Sequence, residues 1–211
     1  VHGVAQGYEK PLWFRTETVR EEPPTWERSA AHDAVAEECG AVRDGVGMID
    51  VSGAACFEVT GPDSAAFLDR LSCNRLPAKD GRMALTLFHA PNGGIMTEQS
   101  ITRIGDDAYF LVGPIGSENR DLHWMQQHAD GFDVTIENRT DALGGVLVTG
   151  PKSRDLLQEL TQDDLSNAAF PWLSCRTVTF DSAPVRTLRV SFAGELGFEL
   201  YMPTWQLPSI Y

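Results

Sequence analysis

The sequence is poor in the patterns that mark metal centres, redox motifs and hydrolase sites. It has four cysteines, none of them in a CxxC pair, and its histidines show no metal-ligand spacing, so we expect no metal site. It also lacks the GxSxG sequence that is typical of many serine hydrolases. The cysteine usage predicts reduced, mostly buried thiols and an intracellular protein, in the cytoplasm or, in a eukaryote, in the mitochondrial matrix.

Positive charge and long apolar runs are also scarce. The chain has 17 lysines and arginines against 30 aspartates and glutamates, and its net charge of −13 repels nucleic-acid phosphates and anionic lipids. No apolar run approaches the roughly 18 residues of a membrane span. We therefore expect neither nucleic acid nor membrane as a partner. A small anionic ligand stays compatible with the sequence, because a local arginine cluster outweighs the distant field.

An internal repeat organises a chain whose hydrophobic fraction, 42%, is that of an ordinary globular protein. Val59–Ser64 (VTGPDS) precedes AAFLDRLS, and Val148–Ser153 (VTGPKS) precedes RDLLQELT. In each copy a β-branched strand runs into Gly-Pro, and the proline is predicted to lie just inside a helix. The predicted inward faces of these helices are Phe67, Leu68 and Leu71 in the first, and Leu156, Leu157 and Leu160 in the second.

Similar elements follow the two helices. The predicted elements are strands at 84–89, 95–104 and 108–112 with a helix at 119–128 in the first copy, and strands at 176–180, 185–192 and 198–202 in the second. This order predicts an α+β fold of two tandem ferredoxin-like (split β-α-β) units, at about 45–135 and 140–211, the second truncated at its C-terminus. Residues 29–211 then form the domain, after an extended lead-in at 1–28, and ligands are expected between the halves.

A further helix is predicted from Ser29 to Cys39, with Gly40 ending it.

Two glutamates stand in partly apolar strands. Strand alternation places Glu98 on the face of Met96, a setting that raises a carboxyl pKa and suits proton transfer, although a solvated strand face is the simpler interpretation. Glu199 stands between Phe198 and Leu200, and strand alternation places it on the same face as Tyr201. Its two oxygens match a flat amidine-like edge, which belongs either to an arginine of the chain, Arg186 or Arg189, or to a ligand such as a pterin.

Taken together, four ordered segments give the sequence a family resemblance. They are Ile49–Ser52 with Glu58–Asp63, Gly93–Glu98, Leu147–Ser153 and Gly194–Tyr201. In these segments the chain resembles the folate-binding aminomethyltransferase family, of which the T-protein of the glycine cleavage system is the best-known member. The lead-in Gly7–Phe14 is similar to the segment before this domain in dimethylglycine and sarcosine dehydrogenases, which carry a separate flavin domain upstream.

The resemblance implies roles for five residues. Glu199 takes the place of the glutamate that binds the amino-pyrimidine edge of the pterin, and Glu195 matches an acidic residue of the same signature. Glu98 falls where the family has its catalytic aspartate. Leu85 replaces an aromatic residue that packs on the folate, and Phe192 replaces a tyrosine.

The implied function is tetrahydrofolate-dependent transfer of an aminomethyl or methylene group from an amine-derived donor. The chain is then a transferase, or the folate half of a demethylating amine dehydrogenase or oxidase whose FAD sits on a separate flavin domain or subunit. The replacements at Leu85, Thr97 and Glu98 leave an alternative, a non-catalytic folate-binding or assembly module. A ligand-free structural domain is a third interpretation, because a fold does not guarantee its usual function.

Overall fold

The computed structural model describes residues 2–5, 8–14, 25–29 and 31–211. In the first two of these stretches, β1 (His2–Ala5) and β2 (Tyr8–Pro11) pair as antiparallel strands, so this part of the lead-in is not simply extended. Trp13, which follows the hairpin, is buried. The acidic Pro-rich stretch at 21–24 lies outside the described residues.

Helix α1 (Ala31–Asp44) runs past Gly40, so the predicted stop at this glycine is wrong. A glycine inside a helix costs only about 1 kcal/mol relative to alanine, which the remaining turns outweigh. The helix ends instead near Gly45, whose N–H still donates to the Ala41 carbonyl.

The first half of the domain is a five-stranded antiparallel sheet with the order β5-β6-β7-β4-β8. Its strands are β4 (Ala55–Thr60), β5 (Met83–His89), β6 (Ile95–Gly105), β7 (Ala108–Gly113) and β8 (Thr135–Asn138). Helices α2 (Ser64–Leu71) and α3 (Glu118–Gln127) contribute to the core on one face of this sheet. Phe67, Leu68 and Leu71 of α2 are buried there, as predicted.

The second half repeats this arrangement with the order β10-β11-β12-β9-β3. Its strands are β3 (Gly47–Asp50), β9 (Leu143–Thr149), β10 (Cys175–Phe180), β11 (Ala183–Leu188) and β12 (Gly197–Pro203). Helix α4 (Ser153–Glu159) packs on its core, and the short α5 (Leu207–Ile210) ends the chain. Of the three leucines predicted to face inward from α4, only Leu157 is buried.

One strand of the first predicted unit joins the second sheet. β3 lies within the first predicted unit, yet it pairs with β9 of the second sheet, while β8 occupies the equivalent place beside β4. Each sheet therefore has five strands in the same order, and the chain links the halves twice. The result is a mixed α/β protein with two antiparallel sheets, as the predicted fold class requires.

The repeated Gly-Pro turns explain why each sheet has a helix at the same place. Gly61 and Gly150 have φ of +124° and +121°, and a Cβ at either would clash with the carbonyl oxygen of Asp133 or Gly45. Helices α2 and α4 begin two residues after Pro62 and Pro151. The prolines thus precede the helices rather than lying inside them, because the turn takes up the first residues after the glycine.

The opposite faces of the two sheets pack on each other. Phe110 of the first sheet and Tyr201 of the second meet edge to face at 5.6 Å between ring centroids. Arg186 crosses between the sheets to donate to Glu58 at 2.7 Å, with its guanidinium over the Phe110 ring. Among the described helices, none combines the length and hydropathy needed to cross a bilayer.

Candidate functional site between the two sheets

Glu199 lies on the face of the second sheet that packs on the first. Strand β12 is buried on both sides: Phe198 and Leu200 face the helix-side core, whereas Tyr201 shares the inter-sheet side with Glu199, as strand alternation predicts. The half-buried carboxylate accepts a hydrogen bond from the Tyr201 hydroxyl at 3.0 Å. Burial raises the pKa of Glu199, and the hydrogen bond from Tyr201 offsets part of that increase.

No arginine of the described chain neutralises Glu199. Arg186 is engaged by Glu58 on the first sheet, and Arg189 donates to the Phe170 carbonyl at 2.8 Å. The alternative in which one of these arginines pairs with Glu199 is therefore wrong. Its carboxylate keeps acceptor capacity beyond the single hydrogen bond from Tyr201.

The thiol of Cys56, on strand β4 of the first sheet, lies near the Glu199 carboxylate. Burial, and next the charge of Glu199, raise the pKa of Cys56 to about 12. Cys175 is buried in the same inter-sheet cluster, and burial raises its pKa to about 11. All four cysteines are free, but Cys39 and Cys73 are exposed, so burial holds for only two of them. The two buried thiols, Cys56 and Cys175, therefore pack as apolar side chains and are not expected to act as nucleophiles.

Glu98 and Leu85 lie on the inter-sheet face of the first sheet. Leu87 is the partner of Glu98 in the β5–β6 register, and Leu85 that of Ser100, so the four side chains share one face. Both Glu98 and Leu85 are exposed. The sheet packing thus leaves Glu98 open to solvent beside two leucines.

Met96 does not share the face of Glu98. A break in the β5–β6 register between Phe88 and His89 skips Met96, which packs against the helix-side core instead. The predicted apolar setting of Glu98 is therefore wrong in this respect, because a bulge shifts alternation by one residue.

A buried carboxylate that the sequence did not indicate, Asp121, holds the strand of Glu98 from the helix side of the sheet. Asp121 of α3 accepts hydrogen bonds from Thr97 and Gln99 at 2.8 Å each, and from Ser117 at 2.6 Å. Thr97 and Gln99 flank Glu98 in β6, so this network fixes the strand that presents it. A signal was present in the sequence, since two polar residues, Thr97 and Gln99, share the inward side of β6 with Ile101 and need polar partners there.

Glu195 and Phe192 lie in the loop that leads into β12. Phe192 is almost fully exposed, at 96%, whereas Glu195 is half-buried. Glu195 lines a cavity of about 390 Å³ together with Trp172 and Arg189. Phe192 is thus open to solvent, whereas Glu195 lines a cavity. Glu199 does not line this cavity. In the described part of the chain, no group of three or more His, Cys, Asp or Glu side chains is arranged to hold a metal ion.

A solved structure shares this fold. The crystal structure of glycine cleavage system aminomethyltransferase T from Bartonella henselae matches with a TM-score of 0.80 and 19% sequence identity, over 100% of this chain and 52% of that one. At this identity the likeness shows the fold. The chain belongs to the family of the GCVT N-terminal domain, whose model matches residues 1–211.

Sequence relatives agree with this family. The mitochondrial dimethylglycine dehydrogenase of Mus musculus is 35% identical over 202 residues, which are 94% of this chain and 23% of the relative. An aminomethyltransferase of Alkaliphilus oremlandii is 32% identical over 187 residues, 88% of this chain and 50% of the relative. The chain thus spans about half the length of the aminomethyltransferase and a quarter of the dehydrogenase.

Proposed function

We propose that this chain contributes a tetrahydrofolate site to an enzyme that transfers a one-carbon unit from an amine-derived donor. The observation that carries the proposal is Glu199: a half-buried carboxylate between two sheets, held by Tyr201 and, among the described residues, without a cationic partner. A buried charge without a partner is unfavourable, so such a carboxylate is expected where a ligand brings the N–H groups. The family membership supports folate as that ligand.

Tyr201 prepares Glu199 for a planar ligand. Its hydroxyl donates to Oε2 and restricts rotation of the carboxylate, so less conformational entropy is lost on binding. The amino-pyrimidine edge of a pterin presents two parallel N–H donors, which match the two carboxylate oxygens. Tetrahydrofolate supplies the nitrogen atoms that accept the one-carbon unit.

Glu98 is the proposed catalytic carboxylate. It lies on the inter-sheet face of the first sheet, so a ligand held by Glu199 is bordered by the face that carries Glu98 and Leu85. Transfer from an amine passes through a cationic nitrogen on the donor, which a fixed carboxylate stabilises while it moves a proton. Leu85 would supply an apolar wall, and the loop carrying Glu195 and Phe192 would border the site.

A partner is inferred for the redox step of the dehydrogenase-like version of this function. The chain spans 23% of the dimethylglycine dehydrogenase relative, so oxidation of the amine would need residues outside it. We infer a flavin domain or subunit that carries FAD. The mitochondrial compartment of that relative supports the matrix as the location in a eukaryote.

A binding module without turnover is the second candidate, and the exposure of Glu98 favours it. Water screens an exposed carboxylate and weakens its stabilisation of a cation.

Calorimetry of tetrahydrofolate binding tests the folate site. We expect Glu199→Gln to weaken binding by about 1–3 kcal/mol, because a charge-assisted hydrogen-bond pair is lost. Glu159→Gln, at the exposed end of α4, is the matched control and should leave binding unchanged. Equal affinity of Glu199→Gln and the unchanged protein would reject the site.

Product formation separates the two candidates. For a transferase, Glu98→Gln should lower formation of methylene-tetrahydrofolate by a factor of about 10² or more while binding stays intact. Folate binding without product from any methylated amine, in the protein with its flavin partner, would identify the binding module.

A further inference from the structure

The segment of β6 that carries Glu98 extends beyond the neighbouring strand β7. In the described sheet, β6 pairs with β5 between Ile95 and Thr102, but it pairs with β7 only from Ser100 onward. Pro114 follows directly after β7 and has no N–H group, so it cannot extend this ladder. Within the described sheet, Glu98 therefore stands in a segment that has strand partners in β5 alone.

Three hydrogen bonds to one carboxylate oxygen hold this segment from the helix side of the sheet. Thr97 Oγ1 and Gln99 Nε2 donate to Asp121 Oδ2 at 2.8 Å each, and Ser117 Oγ donates to the same oxygen at 2.6 Å. Asp121 is 1% exposed, on a helix that packs on the core of the first sheet. Since Thr97 and Gln99 flank Glu98, these bonds fix the pleat from which Glu98 projects to the opposite face.

The polar network around Asp121 (Asp121, Thr97, Gln99 and Ser117) is an unfavourable way to fill a core. Gln99 keeps its Oε1 buried without a hydrogen-bond partner among the described residues, and such an acceptor lowers stability. The Gln99 amide also lies over Gly113, where a Cβ would stand 2.5 Å from Nε2. Ile101 fills the same side of β6 with an apolar side chain. Polar groups that are retained at such a cost beside a candidate site indicate a role in that site.

We propose that Thr97 and Gln99 are positioning residues for Glu98 and act through the Asp121 carboxylate. The inference rests on the proposed catalytic role of Glu98. A carboxylate that stabilises a cationic nitrogen has to keep a fixed distance from it, and a strand held by one neighbouring strand allows more movement than a strand held by two. The network around Asp121 restricts this movement from behind the sheet. Because Glu199 lies on the other sheet, loss of the network should lower turnover and leave folate affinity unchanged.

A double-mutant cycle separates positioning from stability. Thr97→Val keeps the shape of the side chain and removes the hydroxyl that donates to Asp121. In the protein with its flavin partner, we expect Thr97→Val to lower kcat for methylene-tetrahydrofolate formation by about tenfold or more, with unchanged folate affinity in calorimetry. In the Glu98→Gln background the same change should lower kcat by less than about twofold, because no carboxylate is left to position. A loss of activity through unfolding would be equal in both backgrounds.

Conservative and remote variants complete the cycle. Thr97→Ser retains the hydroxyl and should restore kcat. Gln99→Met removes the second donor at similar volume and should repeat the pattern of Thr97→Val, which keeps the test valid if Thr97→Val does not fold. Thr161→Val is the matched control: Thr161 is 5% exposed, and its hydroxyl donates to the Thr179 carbonyl at 2.7 Å in the other half of the domain. Its kcat should not change.

The possible results distinguish this inference from the proposed function. If Glu98→Gln lowers kcat but Thr97→Val and Gln99→Met do not, the positioning role is overturned and the catalytic role of Glu98 stands. Equal losses in both backgrounds, or a loss of folate affinity that matches the loss of kcat, would also overturn the positioning role. If Glu98→Gln leaves product formation unchanged, the proposed role of Glu98 fails and this inference fails with it.

Discussion

Replacing Glu199 by glutamine should stabilise the folded protein. The carboxylate is half-buried, accepts a hydrogen bond from Tyr201 and meets no cation in the part of the chain that the structure describes, so its charge opposes folding. Glutamine keeps the shape and one carbonyl acceptor for the tyrosine while removing the charge. We expect the free energy of unfolding at neutral pH to rise by about 0.5–2 kcal/mol, the usual gain when a functional site is relaxed.

The stability difference between Glu199→Gln and the original protein should depend on pH. Since burial raises the pKa of native Glu199 above its unfolded value, the stability that this group contributes is fully present below the unfolded pKa. That stability is lost as the pH rises through the native pKa. Glutamine does not titrate, so the advantage of Glu199→Gln should grow with rising pH.

Urea unfolding of both proteins between about pH 4 and pH 8 measures the effect. Glu159→Gln, on the exposed end of α4, should change stability by less than about 0.5 kcal/mol at every pH. A Glu199→Gln protein that is less stable than the original, or whose advantage shrinks as the pH rises, would refute the reasoning.

Three further predictions concern the scaffold. Asp121→Asn should lower the free energy of unfolding by about 2–4 kcal/mol in urea, because the three hydrogen bonds that Thr97, Gln99 and Ser117 donate to the Asp121 carboxylate would then go to an uncharged amide oxygen; an unchanged midpoint would contradict this. Gly61→Ala should cost more than Gly93→Ala, by about 2 kcal/mol or more, since both have positive φ but only the first meets a backbone carbonyl; equal thermal midpoints would count against the clash. A thiol reagent should modify the two exposed cysteines quickly and Cys56 and Cys175 only after unfolding, and rapid labelling of all four would argue against the inter-sheet packing.

Local patterns sufficed for most elements of the fold. Gly-Pro turns, β-branched runs and apolar spacing located β4, α2 and α3 to within a few residues, because such signals act between near neighbours in the chain. The prediction of α1 failed at Gly40, where a weak helix breaker was given too much weight.

The candidate site was predictable in part. The place of Glu199 beside Tyr201 followed from strand alternation, which is a local property of the backbone. Alternation failed at Met96, because a bulge depends on how β5 and β6 pair. The ion pair between Arg186 and Glu58, which are 128 residues apart in the chain, could not be predicted from local patterns either.

The sequence by itself determined the repeated strand–turn–helix units, the family, and the three candidate site glutamates, Glu98, Glu195 and Glu199. Composition and spacing carry this information locally. Only the tertiary structure decided that β3 joins the second sheet, that no described arginine neutralises Glu199, and that Trp172 and Glu195 line one cavity. These facts depend on contacts between distant segments. Several partners of matching charge are available to each segment along the chain, and packing selects one of them.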